Sequence, residues 1–273
     1  MQDKQWDTKM EIRTLEEKLP EFARGLIESN YHLSEEERQR FLSNPDAIEE
    51  HNPSWHQWGI QTHSIKTREA YDTELRDYLT QWSIIEKVDK YLGDQIDGIS
   101  KEKLLRLSLP IHDLGKFLKK GKTNFDKHEE ESGRIILNNI TYFLREEGLT
   151  DHQIHYVAFC AANHFAFGYL RRELKIFEEG YNLETVRSQI TKASIERKAR
   201  TFKNFSYELG ILYLVDSLAK TDIKIEAETD DEIDEQTEWA KEQIQIKNLN
   251  PRLIKAIRQR PVNIELTKQF FNI

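Results

Sequence analysis

The side chains best suited to chemistry gather around Leu109-Pro110-Ile111-His112-Asp113-Leu114-Gly115-Lys116-Phe117. An imidazole and a carboxylate adjoin inside an otherwise apolar run, with Gly and Lys directly after them. Divalent metals accept both groups as ligands. Burying such a pair costs free energy unless something partners it. A metal ion would do so, because it neutralises the Asp and takes the imidazole lone pair. Taken alone, the pair equally suits a core histidine beside a helix-capping aspartate. Four further residues extend the pattern: His63, His164 and Asp216 in apolar helical settings, and His128 at a helix start. Each arrives from a different helix, the way helical bundles build metal sites from inward-projecting ligands. Two metals sharing one carboxylate need about this many ligands, and Asp113 is the natural bridge because it adjoins His112. No Ser or Cys nucleophile motif and no Gly-rich P-loop is present.

These residues must be positioned by helices. Leu15, Leu19, Phe22, Leu26 and Ile27 recur at spacings of three to four, so residues 9 to 50 read as two or three helices, with Pro20 breaking or starting one. Ser34 and Glu37 form a capping box, and Ser43–Asp46 and His51–Ser54 are turn signals. One long helix is expected from about Ile60 to Leu92, with His63 near its start. The segment Lys101 to Lys119 is helical by period, and Pro110 predicts a kink just before His112. His128 opens a helix to about Glu147. Thr150 to Asn163 is a shorter helix with a Thr150–Gln153 capping box, ending at His164. Residues 169 to 200 read as polar helices, and Phe205 to Lys220 as an apolar helix in which Asp216 has the apolar neighbours Leu212, Tyr213, Val215 and Ala219. Glu226 to Glu238 reads as a solvated acidic face or linker. The last thirty residues read as two short helices split by Pro261, and no convincing strand alternation occurs.

The fold expected is all-α. Residues 1–55 form an N-terminal helical extension packed on a core of 56–222, followed by an acidic linker and C-terminal helices over 223–273. The 273 residues suffice for a sizeable core. The net charge of −8 disfavours duplex nucleic acid. No apolar run of membrane-spanning length and no apolar signal core at the N-terminus is seen, and the single cysteine, Cys160, reads as a small core residue. A cytoplasmic protein without a membrane partner is expected.

The order His63, His112-Asp113, His128, His164, Asp216 resembles the HD-domain superfamily of metal-dependent phosphohydrolases. His112-Asp113-Leu114-Gly115-Lys116 is similar to its His-Asp-x-Gly-Lys signature. His128-Glu129-Glu130-Glu131-Ser132-Gly133 is similar to its His-Glu-x-x-x-Gly segment, and Leu214-Val215-Asp216 to its closing helix. Pro110 departs from the family's usual aliphatic run. The resemblance spans residues 63 to 216 and leaves the flanks uncovered. It implies that His63, His112, Asp113 and Asp216 bind one divalent ion, and that His128 and His164 bind a second with Asp113 bridging. In a one-metal member His128 would instead contact substrate or cap its helix. Lys116 would face the substrate phosphate, so that Asp113 and Lys116 are the catalytic pair. The expected activity is hydrolysis of a phosphoester of a nucleotide or related small phosphate compound by a metal-bound hydroxide. Alternatives are an HD-type single-strand nuclease, a cyclic-dinucleotide phosphodiesterase (disfavoured, since Gly168-Tyr169-Leu170 lacks that branch's Pro), a nucleotide- or metal-sensing scaffold, and a di-iron oxygenase. His and Asp ligands suit Mn, Fe, Ni, Co, Zn or Mg, and a homo-oligomer is left open.

His32, His51, His56, His152 and His155 lie in turns or on polar faces and are not expected at the site, although His155 sits at an inward register. Trp55 and Trp58 suit core packing better than a wall for a base. Lys119, Lys120, Lys122, Arg134, Arg171 and Arg172 are further cations that could reach a phosphate.

Overall fold

The helical spacing of Leu15, Leu19, Ala23, Leu26 and Ile27 places all five on one buried face of α1 (Ile12–Asn30), and Pro20 is carried inside that helix. This comes from a computed structural model, which describes residues 12–30, 32–44, 46, 52–119, 125–173, 183–189 and 206–271. Among the described residues the fold is all-α apart from one two-stranded hairpin. They divide into two compact units. The first is Met1–Asn52, Gly59–Arg68 and Ile85–Asn163; the second is Pro53–Trp58, Glu69–Ile84 and His164–Ile273.

In the first unit, α1 is followed by α2 (Glu35–Ser43), which opens with the expected capping box: Ser34 Oγ accepts from Glu37 N, and Glu37 Oε2 accepts from Ser34 N. The expected long helix from Ile60 is interrupted. α3 (Ile60–Ala70) leaves the first unit after Arg68 and runs into a π-helical turn at Tyr71–Leu75 and then α4 (Arg76–Gln81), which are counted in the second. The chain breaks at Ser83, whose φ is 57°, before α5 (Ile85–Leu92). Continuous apolar periodicity hid the break, because Ser offers a left-handed residue without the usual Gly or Pro signal. Asp97-Gly98, both with positive φ, turn a hairpin of β1 (Gln95–Ile96) and β2 (Ile99–Ser100), strands too short for any alternation to register.

α6 (Lys101–Ser108) does not kink at Pro110. It stops at Ser108, and Leu109–Ile111 and Leu114–Leu118 form two tight 3₁₀ turns that flank His112-Asp113. α1 packs against both turns. α7 (His128–Asn138) ends one turn before α8 (Thr141–Glu146), dividing the helix expected to reach Glu147. α9 (Asp151–Asn163) opens on the reciprocal Thr150–Gln153 capping box and packs closely on α7, where a Cβ on Gly133 would meet Ala162 Cβ at 2.7 Å. Cys160 is buried in this contact region of α9.

In the second unit, α10 (Ala166–Glu173), α11 (Leu183–Gln189) and the apolar α12 (Ser206–Leu218) precede α13 (Asp230–Ile246) and α14 (Leu253–Phe271). The acidic stretch is the first half of α13, capped by Thr229 and opening on Asp230, Asp231 and Glu232, which suit a helix N-terminus. The C-terminal segment is one helix rather than two. Pro261 sits inside α14, where Arg260, Val262 and Asn263 are also buried, so tertiary packing carries the helix past the missing N–H. Arg171 donates to Tyr213 Oη at 2.9 Å and to Asn263 Oδ1 at 2.8 Å, and Asn263 donates to Ser217 Oγ at 2.7 Å, tying α10, α12 and α14 together. Among the described residues no helix is long and apolar enough to cross a membrane.

Two glycines test this packing in opposite directions. A Cβ on Gly115 would lie 2.0 Å from the backbone oxygen of His128, whereas one on Gly25 meets nothing within 4 Å. Gly115→Ala is expected to destabilise the fold by about 2–3 kcal/mol through forced overpacking against backbone. Gly25→Ala, in α1, is expected to stabilise it by up to about 1 kcal/mol. Thermal unfolding of the two variants checks both signs.

Candidate metal centre

His63 is set by the first turn of α3. The side chain of Asp46 accepts from Gln61 N at 2.9 Å, from Thr62 N at 3.1 Å and from the Thr62 hydroxyl, while Asn52 Oδ1 accepts from Ile60 N at 3.3 Å. Donors at a helix start that would otherwise lack intrahelical partners are thus met, and a carboxylate stands where the helix dipole favours negative charge. Gly59 leaves the room this needs, since a Cβ there would fall 2.3 Å from the Asp46 carboxylate carbon. The imidazole of His63 is fully buried.

His112 and Asp113 sit between the two 3₁₀ turns, and Asp113 takes the sparsely populated φ −104°, ψ 11°. The second turn is pressed onto the start of α7. Gly115 N donates to Ser132 Oγ at 2.8 Å, and Ser132 Oγ donates in turn to His128 O at 2.9 Å. That close approach brings His128 to the His-Asp pair. Lys127, left-handed at φ 60°, turns the chain into α7.

Three imidazoles of the first unit converge on one carboxylate. His63 Nε2 lies 3.6 Å and His112 Nε2 3.4 Å from Asp113 Oδ2, and His128 Nε2 lies 3.2 Å from Oδ1. Lys116 Nζ stands 2.5 Å from Oδ2 and is itself buried. Burial alone would raise the Asp113 carboxyl, but the charges of His112 and Lys116 and the bond from His128 hold it well below its ordinary range, so it is ionised at neutral pH.

The other ring nitrogens settle the tautomers. His112 Nδ1 is 2.6 Å from Leu109 O, and His128 Nδ1 is 2.7 Å from Phe125 O and 3.2 Å from Glu129 Oε2. Those oxygens only accept, so both Nδ1 atoms carry a proton; a charged ring donates to Asp113 from Nε2, whereas a neutral ring turns its Nε2 lone pair toward it. Lone pair would then face carboxylate lone pair, an arrangement that needs a cation between them. Protonating all three rings beside Lys116 would place four cations around one buried carboxylate, at a steep desolvation and repulsion cost. A divalent ion meets the need with fewer charges. Ligands about 2.1 Å from a tetrahedral ion lie about 3.4 Å apart, which matches the separations here. The donor set therefore fits a metal, and this buried His/Asp cluster could hold one. Nδ1 bonded to a carbonyl while Nε2 ligates is the usual outer-sphere arrangement.

His164 and Asp216 belong to the second unit, and both are buried. Asp216 Oδ2 lies 2.9 Å from Lys220 Nζ. Of the other cations, Arg134 pairs with Glu131 at the surface and Arg171 is held in the network of the second unit. Lys119 lies just past the second 3₁₀ turn, and Lys120, Lys122 and the Arg172 side chain are outside the described residues. His51 is also outside them. His32 is exposed, and His152 pairs with Asp97 at the surface. His155 is exposed and turned back on Asp151 O, because the inward register of α9 is taken by Ile154, Val157 and Ala158. His56 and Trp58 are in the second unit, and Trp58 Nε1 donates to Ala219 O at 2.8 Å. Three contributors were not singled out from sequence: Asp46, Glu129 and Lys220. Glu129 was legible as the Glu of the His-Glu-x-x-x-Gly segment and Lys220 by its four-residue spacing from Asp216, whereas Asp46 carried no such signal.

No family model matches the chain, and no curated protein matches it.

Metal removal and pH should both act on this centre. Adding Mn²⁺ or Zn²⁺ to chelator-treated protein is expected to raise the midpoint of thermal unfolding, by the linkage of binding to folding. The increment should shrink as pH falls below about 6.5, because protonated imidazole is no ligand. Asp113→Asn should abolish the increment at every pH. Differential scanning fluorimetry with and without metal reads all three.

Proposed function

We propose that the chain is an HD-type, metal-dependent phosphohydrolase acting on a phosphoester of a nucleotide or a related small phosphate compound. The observation that supports this most is the convergence of three imidazole Nε2 atoms on the ionised Asp113, with the tautomers of His112 and His128 set by backbone carbonyls. On this reading the resemblance adds Asp216 and His164 as further ligands, both of them buried in the second unit. Both added ligands suit the role chemically: a carboxylate balances a divalent charge, and an imidazole fills a neutral position.

Divalent ions held there would lower the pKa of a bound water and polarise phosphoryl oxygens. The chain's own residues do the rest. Asp113 presents both oxygens to its neighbours and so can bridge two sites. The carbonyls of Leu109 and Phe125 keep the His112 and His128 rings from rotating and from presenting the wrong nitrogen. Glu129, buried beside His128 Nδ1, adds negative charge that makes this imidazole a stronger donor. Lys116 is the nearest fixed cation to Asp113, and would offer its ammonium to an anionic substrate oxygen beside the centre. Phosphoryl transfer needs mainly positioning and charge neutralisation, and these groups provide both without a nucleophilic side chain.

The test is a screen of nucleoside monophosphates and p-nitrophenyl phosphate with Mn²⁺ present. Wild type should turn over at least one, and Asp113→Ala should lose activity by about 10³-fold or more, as expected for losing the group on which the centre converges. Full turnover by Asp113→Ala would end this reading.

A further inference from the structure

We propose that Asp46 is a positioning residue of the metal centre, a cap supplied from outside α3 that sets how tightly His63 takes up a divalent ion; this rests on the metal-dependent reading above. Gly59 precedes α3, so the helix has no side chain of its own at the capping position, and its first turn carries no acid. The first N–H to find an intrahelical acceptor is that of His63, bonded to Gly59 O at 2.9 Å. Those before it are met from elsewhere: Ile60 N by Asn52 Oδ1, and Gln61 N and Thr62 N by the two oxygens of Asp46. The Thr62 hydroxyl donates to Asp46 as well. Asp46 is itself held on both sides, its N–H donating to Asn44 Oδ1 at 3.1 Å and its carbonyl accepting from Asn52 Nδ2 at 2.7 Å. All these residues lie in the first unit.

A cap within a helix moves with that helix and steadies it alone. A cap from another segment also fixes where the helix stands, and the residue after the pinned Thr62 is His63. α3 is pinned again at Arg68, whose Nε lies 2.5 Å from Glu16 Oε1 of α1. His63 is fully buried between those two anchors, with Nε2 3.6 Å from Asp113 Oδ2. A capping side chain at residue 59 would start the helix more simply, and no left-handed backbone demands glycine there. What excludes it is Asp46: the atoms nearest to a Cβ on Gly59 are Asp46 Cγ, Oδ1 and Cβ, all too close for a side chain. Gly59 and Asp46 therefore act as one device, in which a local cap is given up for a remote one. Metal ligands must be held within about 0.5 Å of their working geometry, and losing the groups that orient them costs about 10–100-fold in metal affinity. A start of α3 free to shift would carry the His63 imidazole away from the other ligands.

The test uses the full chain with Co²⁺ as probe, titrated by its d–d absorption, beside thermal unfolding of the metal-free chain. Wild type is compared with Asp46→Asn, Asp46→Gly, Asp46→Gly/Gly59→Ser and Ser34→Ala. Asp46→Asn keeps the shape but turns a donor toward one of the two N–H groups, and should bind Co²⁺ about 10-fold or more weakly, with altered d–d bands. Ser34→Ala removes the cap of α2 in the same unit, so it should lower the unfolding midpoint yet stay within about threefold of wild type in affinity. Asp46→Gly/Gly59→Ser moves the cap inside the helix. Its midpoint should rise above that of Asp46→Gly, while its Co²⁺ affinity stays about 10-fold or more below wild type. Wild-type affinity in Asp46→Asn overturns the assignment and leaves the metal centre standing. So does equal weakening in Ser34→Ala, which would tie affinity to stability alone, or full recovery of affinity in the double variant, which would make Asp46 a helix cap and nothing more. A wild type that takes up no Co²⁺ overturns the assignment and the metal-dependent reading together, and is seen before any variant is made.

Discussion

A buried carboxylate surrounded by lone pairs is the constraint around which the first unit is arranged. Asp113 has no exposed surface, yet it is ionised and has three imidazole nitrogens within 3.6 Å. Burial of that charge is tolerable only with compensating positive charge held at fixed geometry. Lys116 provides one unit of it. The orientation of the histidines, with Nδ1 of His112 and His128 spent on carbonyls, leaves the remainder to an ion that can accept several lone pairs at once.

Much of the surrounding structure serves that arrangement. Stopping α6 at Ser108 and continuing in 3₁₀ turns allows Asp113 its unusual backbone angles and aims His112 back at Leu109 O. Gly115 lets the second turn touch the backbone of α7, which a side chain would prevent, and so sets the position of His128. Asp46, distant in sequence, fastens the first turn of α3 and with it His63. Nothing in this design requires a nucleophilic side chain, which agrees with the phosphoester chemistry proposed.

The all-helical class was legible because the apolar stripes of α1, α6, α9 and α12 recur at helical spacing, and both expected capping boxes form as read. The ligand candidates were legible because an acid or histidine on an otherwise apolar face is conspicuous. Interruptions of periodic segments were not. The left-handed Ser83, the π turn at Tyr71–Leu75 and the early stop of α6 all lie inside runs whose apolar spacing continues unbroken, so local pattern pointed to longer helices. Pro261 misled in the opposite direction, since buried neighbours carry α14 through it. Contacts made across long sequence separations, such as Asp46 with the start of α3, had no local signature at all. The division into two units, each assembled from separated stretches, is likewise a property of tertiary contacts that no composition shift marks.

The most direct test of the central claim is elemental analysis of the chain purified without chelator, together with X-ray absorption at the edge of whichever metal is found. The account predicts between about one and two divalent ions per chain, with a first shell of nitrogen and oxygen that includes imidazole scattering. It also predicts that loss of the His112 ring in His112→Ala sharply lowers the metal content. A chain that is folded and metal-free after purification, and that remains so after incubation with Mn²⁺, Fe²⁺, Co²⁺, Ni²⁺ or Zn²⁺, would contradict it.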